Sequence, residues 1–223
     1  MRSAPRPRNE PNRRLHQPRR HQKQLKIASI NMNGRGSCLQ DKWGLIGNIL
    51  KRRKIAVLAL QETHPNGDLR ETVEKHFRNS LYVAHLADPD KPGARGGVSV
   101  VINKSIIDMK KIDCKQVIEG QAMLVEVPWN GDDTLHIINI YTPMDNAEKA
   151  KFWEELLRKV EELEDLRPDI VMGDFNLVEN PKVDRLHNRG GADPVTARNA
   201  MSELMTELNL MDGVAHEDNL LDI

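Results

Sequence analysis

Three short apolar runs in this chain end on side chains that carry oxygen. Ile27-Ala28-Ser29-Ile30 leads to Asn31 and Asn33, Val57-Leu58-Ala59-Leu60 to Gln61 and Glu62, and Ile170-Val171-Met172, after Gly173, to Asp174 and Asn176. Runs of this length read as strands, and ligands in α/β sheets collect at strand carboxyl ends. With the three strands as neighbours, these groups surround one cleft. Such oxygens suit a hard cation like Mg²⁺, which takes one or two carboxylates and keeps several waters. Glu62 and Asp174 would supply the charge, and the asparagines would hold phosphate oxygens. A cation held in this way polarises a phosphoryl oxygen and activates water. Any one of these strand ends also fits a solvated turn or a helix cap. The three together point to chemistry.

The elements that must position them follow from periodicity. A strand is expected at 25–30, then a helix marked by Trp43, Ile46 and Leu50. The continuous apolar run 55–60 reads as a strand buried on both faces, and Leu69, Val73 and Phe77 mark a second helix. Strand character returns at 81–86, 97–102, 112–118, 122–127 and 134–141. Asp145 and Glu148 resemble a capping box opening a long helix, with Ala150, Trp153, Leu156, Leu157, Val160 and Leu163 as its apolar face. A short buried strand is expected at 169–172, and Asp193-Pro194 reads as the start of a last helix. Ala197, Ala200, Met201, Leu204, Met205 and Leu208 form that helix's stripe. Strands alternate with helices at both ends, with consecutive strands between. That order implies mixed or antiparallel sheets with helices packed outside.

Composition excludes several classes. The 223 residues are 39% hydrophobic and 30% charged, which suits a globular protein. No apolar run approaches the ~20 residues that span a bilayer, so no membrane partner is expected. There is no secretory h-region, and Cys38 and Cys114 form no CxxC pair, so a reducing, intracellular setting is expected. The zero net charge hides an asymmetry: residues 1–24 hold eight basic residues and one acid, leaving the remainder at −7. With four prolines and little apolar surface, 1–24 reads as a disordered basic tail. Its alternative readings are a solvated tail and an electrostatic arm for phosphates or nuclear import.

Four motifs occur in order: Ser29-Ile30-Asn31-Met32-Asn33-Gly34, Leu60-Gln61-Glu62-Thr63, Asn139-Ile140-Tyr141-Thr142-Pro143 and Gly173-Asp174-Phe175-Asn176. Together they resemble the endonuclease/exonuclease/phosphatase superfamily, which includes deoxyribonuclease I and the apurinic/apyrimidinic endonucleases. Asn33-Gly34-Arg35-Gly36, Ala94-Arg95-Gly96-Gly97-Val98 and Val183-Asp184-Arg185-Leu186 narrow the likeness. They are similar to the endonuclease domain of fungal non-LTR (LINE-type) retrotransposons. The resemblance covers 25–213. It implies an α/β (α+β) four-layer sandwich of two packed mixed sheets flanked by helices. It implies a Mg²⁺-dependent phosphodiesterase (Mn²⁺ substituting), a nuclease acting on DNA; a phosphomonoesterase or lipid phosphodiesterase would share the same core, and the basic tail favours nucleic acid. A monomer is expected. Carried over by position, Glu62 matches the metal-binding glutamate and Asn31 the asparagine at the phosphate and metal site. Tyr141 matches the tyrosine on the scissile phosphate. Asp174 matches the aspartate that orients or activates water, and Asn176 the asparagine on a phosphate oxygen. Asn33 stands where many members have aspartate.

Leu210-Met211-Asp212-Gly213 still fits the family, but 214–223 does not, and the closing Asp-His pair has no counterpart. The expectation is therefore a C-terminally truncated domain that lacks its late strands and is at best a feeble nuclease. The alternative is a non-catalytic remnant that binds nucleic acid weakly through its basic arm.

Overall fold

The computed structural model describes residues 24–33, 39–64, 67–86, 97–131, 133–163, 166–177 and 193–212. Residues 1–23 of the tail expected over 1–24, the 214–223 segment, Gly34-Arg35-Gly36, Ala94-Arg95-Gly96 and the Val183–Leu186 motif lie outside these residues.

Two four-stranded sheets pack face to face. The first contains β1 (Ile27–Asn31), β2 (Val57–Gln61), β3 (Leu81–Leu86) and β4 (Val98–Asn103), in the order β1-β2-β4-β3. The second contains β5 (Asp113–Ile118), β6 (Ala122–Trp129), β7 (Asp133–Tyr141) and β8 (Ile170–Asp174), in the order β5-β6-β7-β8. Each sheet is mixed: β1 runs parallel to β2 and β7 parallel to β8, and the other pairings are antiparallel. The sheets are flanked by α1 (Leu39–Arg53), α2 (Gly67–Phe77), α3 (Asn146–Glu161) and α4 (Val195–Glu207). Among the described residues, no helix is long and apolar enough to cross a membrane.

The period-2 alternation of the strands builds three cores. Leu58, Leu60, Leu81, Val83 and Val101 face α1 and α2, meeting Trp43, Ile46, Leu50, Val73 and Phe77. Val57, Val98, Val100, Ile102, Val125 and Ile137 fill the space between the sheets. Leu124, Ile138 and Ile140 face α3 and α4, meeting Trp153, Leu156, Met201 and Leu204. The result is helices, sheet, sheet, helices: the four layers that the family resemblance implies. β2 is buried along its whole length, as its unbroken apolar run requires.

Helix ends follow local chemistry. Lys54 ends α1 in the left-handed region (φ 54°), and the Ile55 N–H donates to Leu50 O at 3.1 Å, a Schellman closure. The Asp145 side chain caps α3 by accepting from the N–H groups of Ala147 and Glu148.

Three local expectations need correction. The buried face of α3 includes Lys149 and Phe152, and Ala150 is only partly covered. The reason is that Asp193 lies buried at 3.0 Å from Lys149 Nζ and draws that charge inward. The last helix is N-capped at Pro194, which makes no side-chain cap bond, and the Asp193 carboxylate before it accepts from Lys149 Nζ. The strand expected at 169–172 is Ile170–Asp174, and it is half-buried. Among the described residues its only sheet partner is β7.

Candidate active site

The three oxygen-bearing strand ends meet, though not as neighbours in one sheet. β1 and β2 are paired, whereas β8 belongs to the opposite sheet and reaches them across the sandwich. Parity explains how. Ile27 on β1 and both Ile170 and Met172 on β8 belong to the core between the sheets, so Asn31 and Asp174, an even number of residues away, share that inner side.

Asn31 sits at the centre. Its Nδ2 donates to Glu62 Oε1 at 3.0 Å and to Asp174 Oδ2 at 2.6 Å, so two carboxylates converge on one amide nitrogen. Its Oδ1 accepts the Asn33 N–H at 2.8 Å, which leaves that oxygen one lone pair. Lys42 of α1 holds the chain leaving β1 by donating to Met32 O and Asn33 O, at 2.9 and 2.8 Å. Asn176 is tied to the same cluster: its N–H donates to Asp174 Oδ1 at 3.0 Å and its Nδ2 to Thr142 O at 2.8 Å. Tyr141 lies opposite Asp174 in the β7–β8 register and packs against the core between the sheets. The structure thus brings Asn31, Glu62, Asp174 and Asn176 into one hydrogen-bonded group, with Tyr141 on the adjoining strand.

The backbone around this group is unusual. Asn33, Glu62, His64 and Asn176 all have positive φ, between 40° and 51°. Asparagine tolerates this region, but Glu62 and His64 are held there against a cost of about 1–3 kcal/mol each. Gly173 has φ 143°, and a Cβ at that position would lie 2.1 Å from Ile140 O. Only glycine lets β8 come this close to β7 and deliver Asp174 at the cleft. Beneath it, the Trp153 and Phe175 rings stack at 5.5 Å and support the turn between Asp174 and Asn176.

Below the cleft lies a buried polar layer, and Gln61, expected from its strand end to face the cleft, belongs to this layer instead, because its side chain turns inward to Ser29 and Asn139. Gln61, Thr63, Ser99, Asn139 and Thr142 are all buried. Asn139 bonds Gln61, Leu60 O and Ser99 O. The sequence signal for it is a single amide interrupting Ile137-Ile138-Asn139-Ile140. Ser99 Oγ donates to Thr63 Oγ1 at 3.0 Å and lies 2.8 Å from His85 Nδ1. Burial of the His85 ring, with Arg70 nearby, pushes its pKa down to about 4.

The sequence profile of the Endonuclease/Exonuclease/phosphatase family matches residues 28–213. The chain belongs to this family. The family takes in endonucleases, exonucleases and phosphatases, and its nucleases generally use divalent metals. It is 26% identical over 153 residues to the "Transposon TX1 uncharacterized 149 kDa protein" of Xenopus laevis. That match takes in 68% of this chain but 11% of that protein, so the chain spans only a small part of its relative's length. Among solved structures it resembles an AP endonuclease from Archaeoglobus fulgidus, with TM-score 0.61 and 20% identity, over 82% of this chain and 71% of that one. It also resembles the AP endonuclease LMAP from Leishmania major, with TM-score 0.64 and 16% identity, over 83% and 67% of the two chains. At these identities the two structures establish a shared fold.

The donor set fits a hard divalent cation. Among the described residues no group of three His, Cys, Asp or Glu side chains could hold a metal. Mg²⁺ does not need one, because one or two carboxylates and retained waters suffice. Two carboxylates within hydrogen-bond distance of one neutral amide form a concentration of negative charge that such a cation relieves.

Proposed function

We propose that the cleft is the active site of a metal-dependent endonuclease-type phosphodiesterase that hydrolyses phosphodiester bonds in DNA, in a domain of retrotransposon origin. The observation that carries this reading is the convergence of Glu62 and Asp174 on Asn31. The family membership and the transposon relative support it.

In this reading Glu62, with Asn31 beside it, holds Mg²⁺ or Mn²⁺. The bound cation supplies charge neutralisation at the scissile phosphate. Asp174 orients the attacking water and takes its proton; its own orientation is fixed by the bonds from Asn31 and the Asn176 N–H. Tyr141 and the Asn176 Nδ2 hydrogen not given to Thr142 O offer donors to phosphate oxygens; both Asn31 hydrogens are given to Glu62 and Asp174, so its part is the remaining Oδ1 lone pair beside the cation. Preorganised donors of this kind cost no rearrangement when charge develops, and removing one costs about 10²–10³ in rate.

The test is Mg²⁺-dependent nicking of a supercoiled plasmid, alongside Mn²⁺ binding followed by electron paramagnetic resonance. Both are run on the chain, on a version extended with a related C-terminal segment carrying the Asp-His pair, and on Glu62→Ala of each. The expected result is nicking by the extended version that falls about 10²–10⁴-fold in Glu62→Ala, with Mn²⁺ binding lost in both backgrounds. Nicking or Mn²⁺ binding indifferent to Glu62→Ala, or no nicking by the extended version, would overturn the reading.

A further inference from the structure

We infer that Asn139 and Gln61 are positioning residues for the cleft: a buried amide pair that fixes the two sheets at the relative height where Glu62 and Asp174 meet. The inference rests on the reading of the cleft as a phosphodiesterase site.

The problem this pair solves is set by the fold. Glu62 follows a strand of one sheet and Asp174 ends a strand of the other, and the core between the sheets is largely aliphatic. Apolar contact is non-directional, so it drives the sheets together without fixing how they slide. Asn139, on β7, is fully buried, and it bonds to the opposite sheet with three of its four hydrogen-bonding positions. Its Nδ2 donates to Leu60 O at 3.1 Å and to Ser99 O at 2.9 Å, two residues that face each other in the β2–β4 register. Its Oδ1 accepts from Gln61 Nε2 at 2.7 Å. Gln61 Nε2 also lies 3.0 Å from Ser29 Oγ on β1.

One side chain of the second sheet is therefore tied to β2 and β4 directly and to β1 through Gln61. Each link lies close to the cleft along its strand. Gln61 immediately precedes Glu62, Ser29 is two residues before Asn31, and Asn139 is two residues before Tyr141, which pairs with Asp174. Apolar residues of similar shape at 139 and 61 together would serve the core nearly as well, since replacing both partners of a buried hydrogen bond is close to neutral. What the amide adds is direction, and a displacement of about 1 Å at a reacting centre costs about 100-fold in rate.

The experiment uses Asn139→Leu and Gln61→Met, close in volume and unable to make these bonds. The direct readout is the Asn31 side-chain amide in ¹⁵N-correlated NMR spectra, because those protons lie between Glu62 and Asp174. The expected result is a cooperatively folded protein in which the Asn31 amide moves toward the free-amide position. Mn²⁺ affinity should fall about tenfold, and kcat for nicking by the extended version about 100-fold, with KM changed less than about threefold. An Asn31 signal and Mn²⁺ affinity equal to the parent's in folded variants would overturn the inference. So would failure of both variants to fold, which would make the pair a part of the core alone. A displaced Asn31 signal in a protein whose parent neither binds Mn²⁺ nor nicks DNA would uphold the inference and overturn the functional reading.

Discussion

At mid-height the two sheets meet through Val57, Val100, Ile102, Val125 and Ile137, all buried hydrocarbon. Two to four residues further along β2 and β7, and at the end of the neighbouring β8, the chain changes character. β2 ends in Gln61 and then Glu62, β7 in Asn139 and Tyr141, β8 in Gly173 and Asp174, and the backbone passes through left-handed conformations at Asn33, Glu62, His64 and Asn176. The body is largely apolar, and its own positive-φ non-glycine residues, Lys54, Asn130 and Asn209, sit where a helix or a hairpin ends. The cleft end is polar and strained, and a small displacement there has large effects. The difference shows how the apolar layers can carry the stability while the site departs from local preference.

Substitutions can break or sharpen that contrast. The largest expected effect is in the body. Leu156→Ala, in the fully buried α3 face, should cost about 2–5 kcal/mol in denaturant unfolding, while Mn²⁺ affinity in the folded fraction stays at the parent value. Loss of metal affinity beyond the loss of folded protein would show that the two regions are not separable. Gly173→Ala should do the reverse. The new methyl meets Ile140 O and must push β8 away, costing about 1–3 kcal/mol and, more tellingly, lowering nicking by the extended version about 10²–10⁴-fold at temperatures where the protein is still folded. Unaltered nicking would mean that β8 can shift without moving Asp174.

The smallest effect concerns pH. The His85 ring is neutral in the folded protein down to about pH 4, because burial opposes its charge, whereas the unfolded chain protonates it near 6.5. Between these values the unfolded state binds more protons, so stability falls as pH drops from about 6.5 to 4. The ring's partial exposure reduces the contribution to the order of 1–2 kcal/mol. His85→Gln should flatten the pH dependence of the unfolding free energy across that window. A slope identical to the parent's would remove His85 as its source.

The sequence carried much of this in legible form. β2 could be read as fully buried from 55–60, since only a strand covered on both faces can be apolar at every position. The Asp145 cap and the strand-end motifs were visible for the same reason: each depends on residues adjacent in sequence. What could not be read is what depends on the third dimension. The motif strands look alike along the chain, and nothing in them reveals that β8 lies in the other sheet. Asp193 has the residue type of a helix cap, yet its partner Lys149 lies on α3, in a position that periodicity assigns to the helix surface. Asn139 reads as an isolated polar interruption until Leu60, Ser99 and Gln61 are placed around it.

The hydrogen bond that joins Asn31 to Asp174 spans 143 positions of chain. A contact of that separation forms late, after the entropic cost of closing so long a loop has been met by other pairings. During synthesis the first sheet, with Glu62 at its rim, emerges well before Asp174 exists. The cleft is therefore a conjunction that only a folded chain satisfies. A nascent copy would carry one carboxylate without its counterpart, a misfolded copy would hold the two apart, and the proposed activity would wait until assembly was complete.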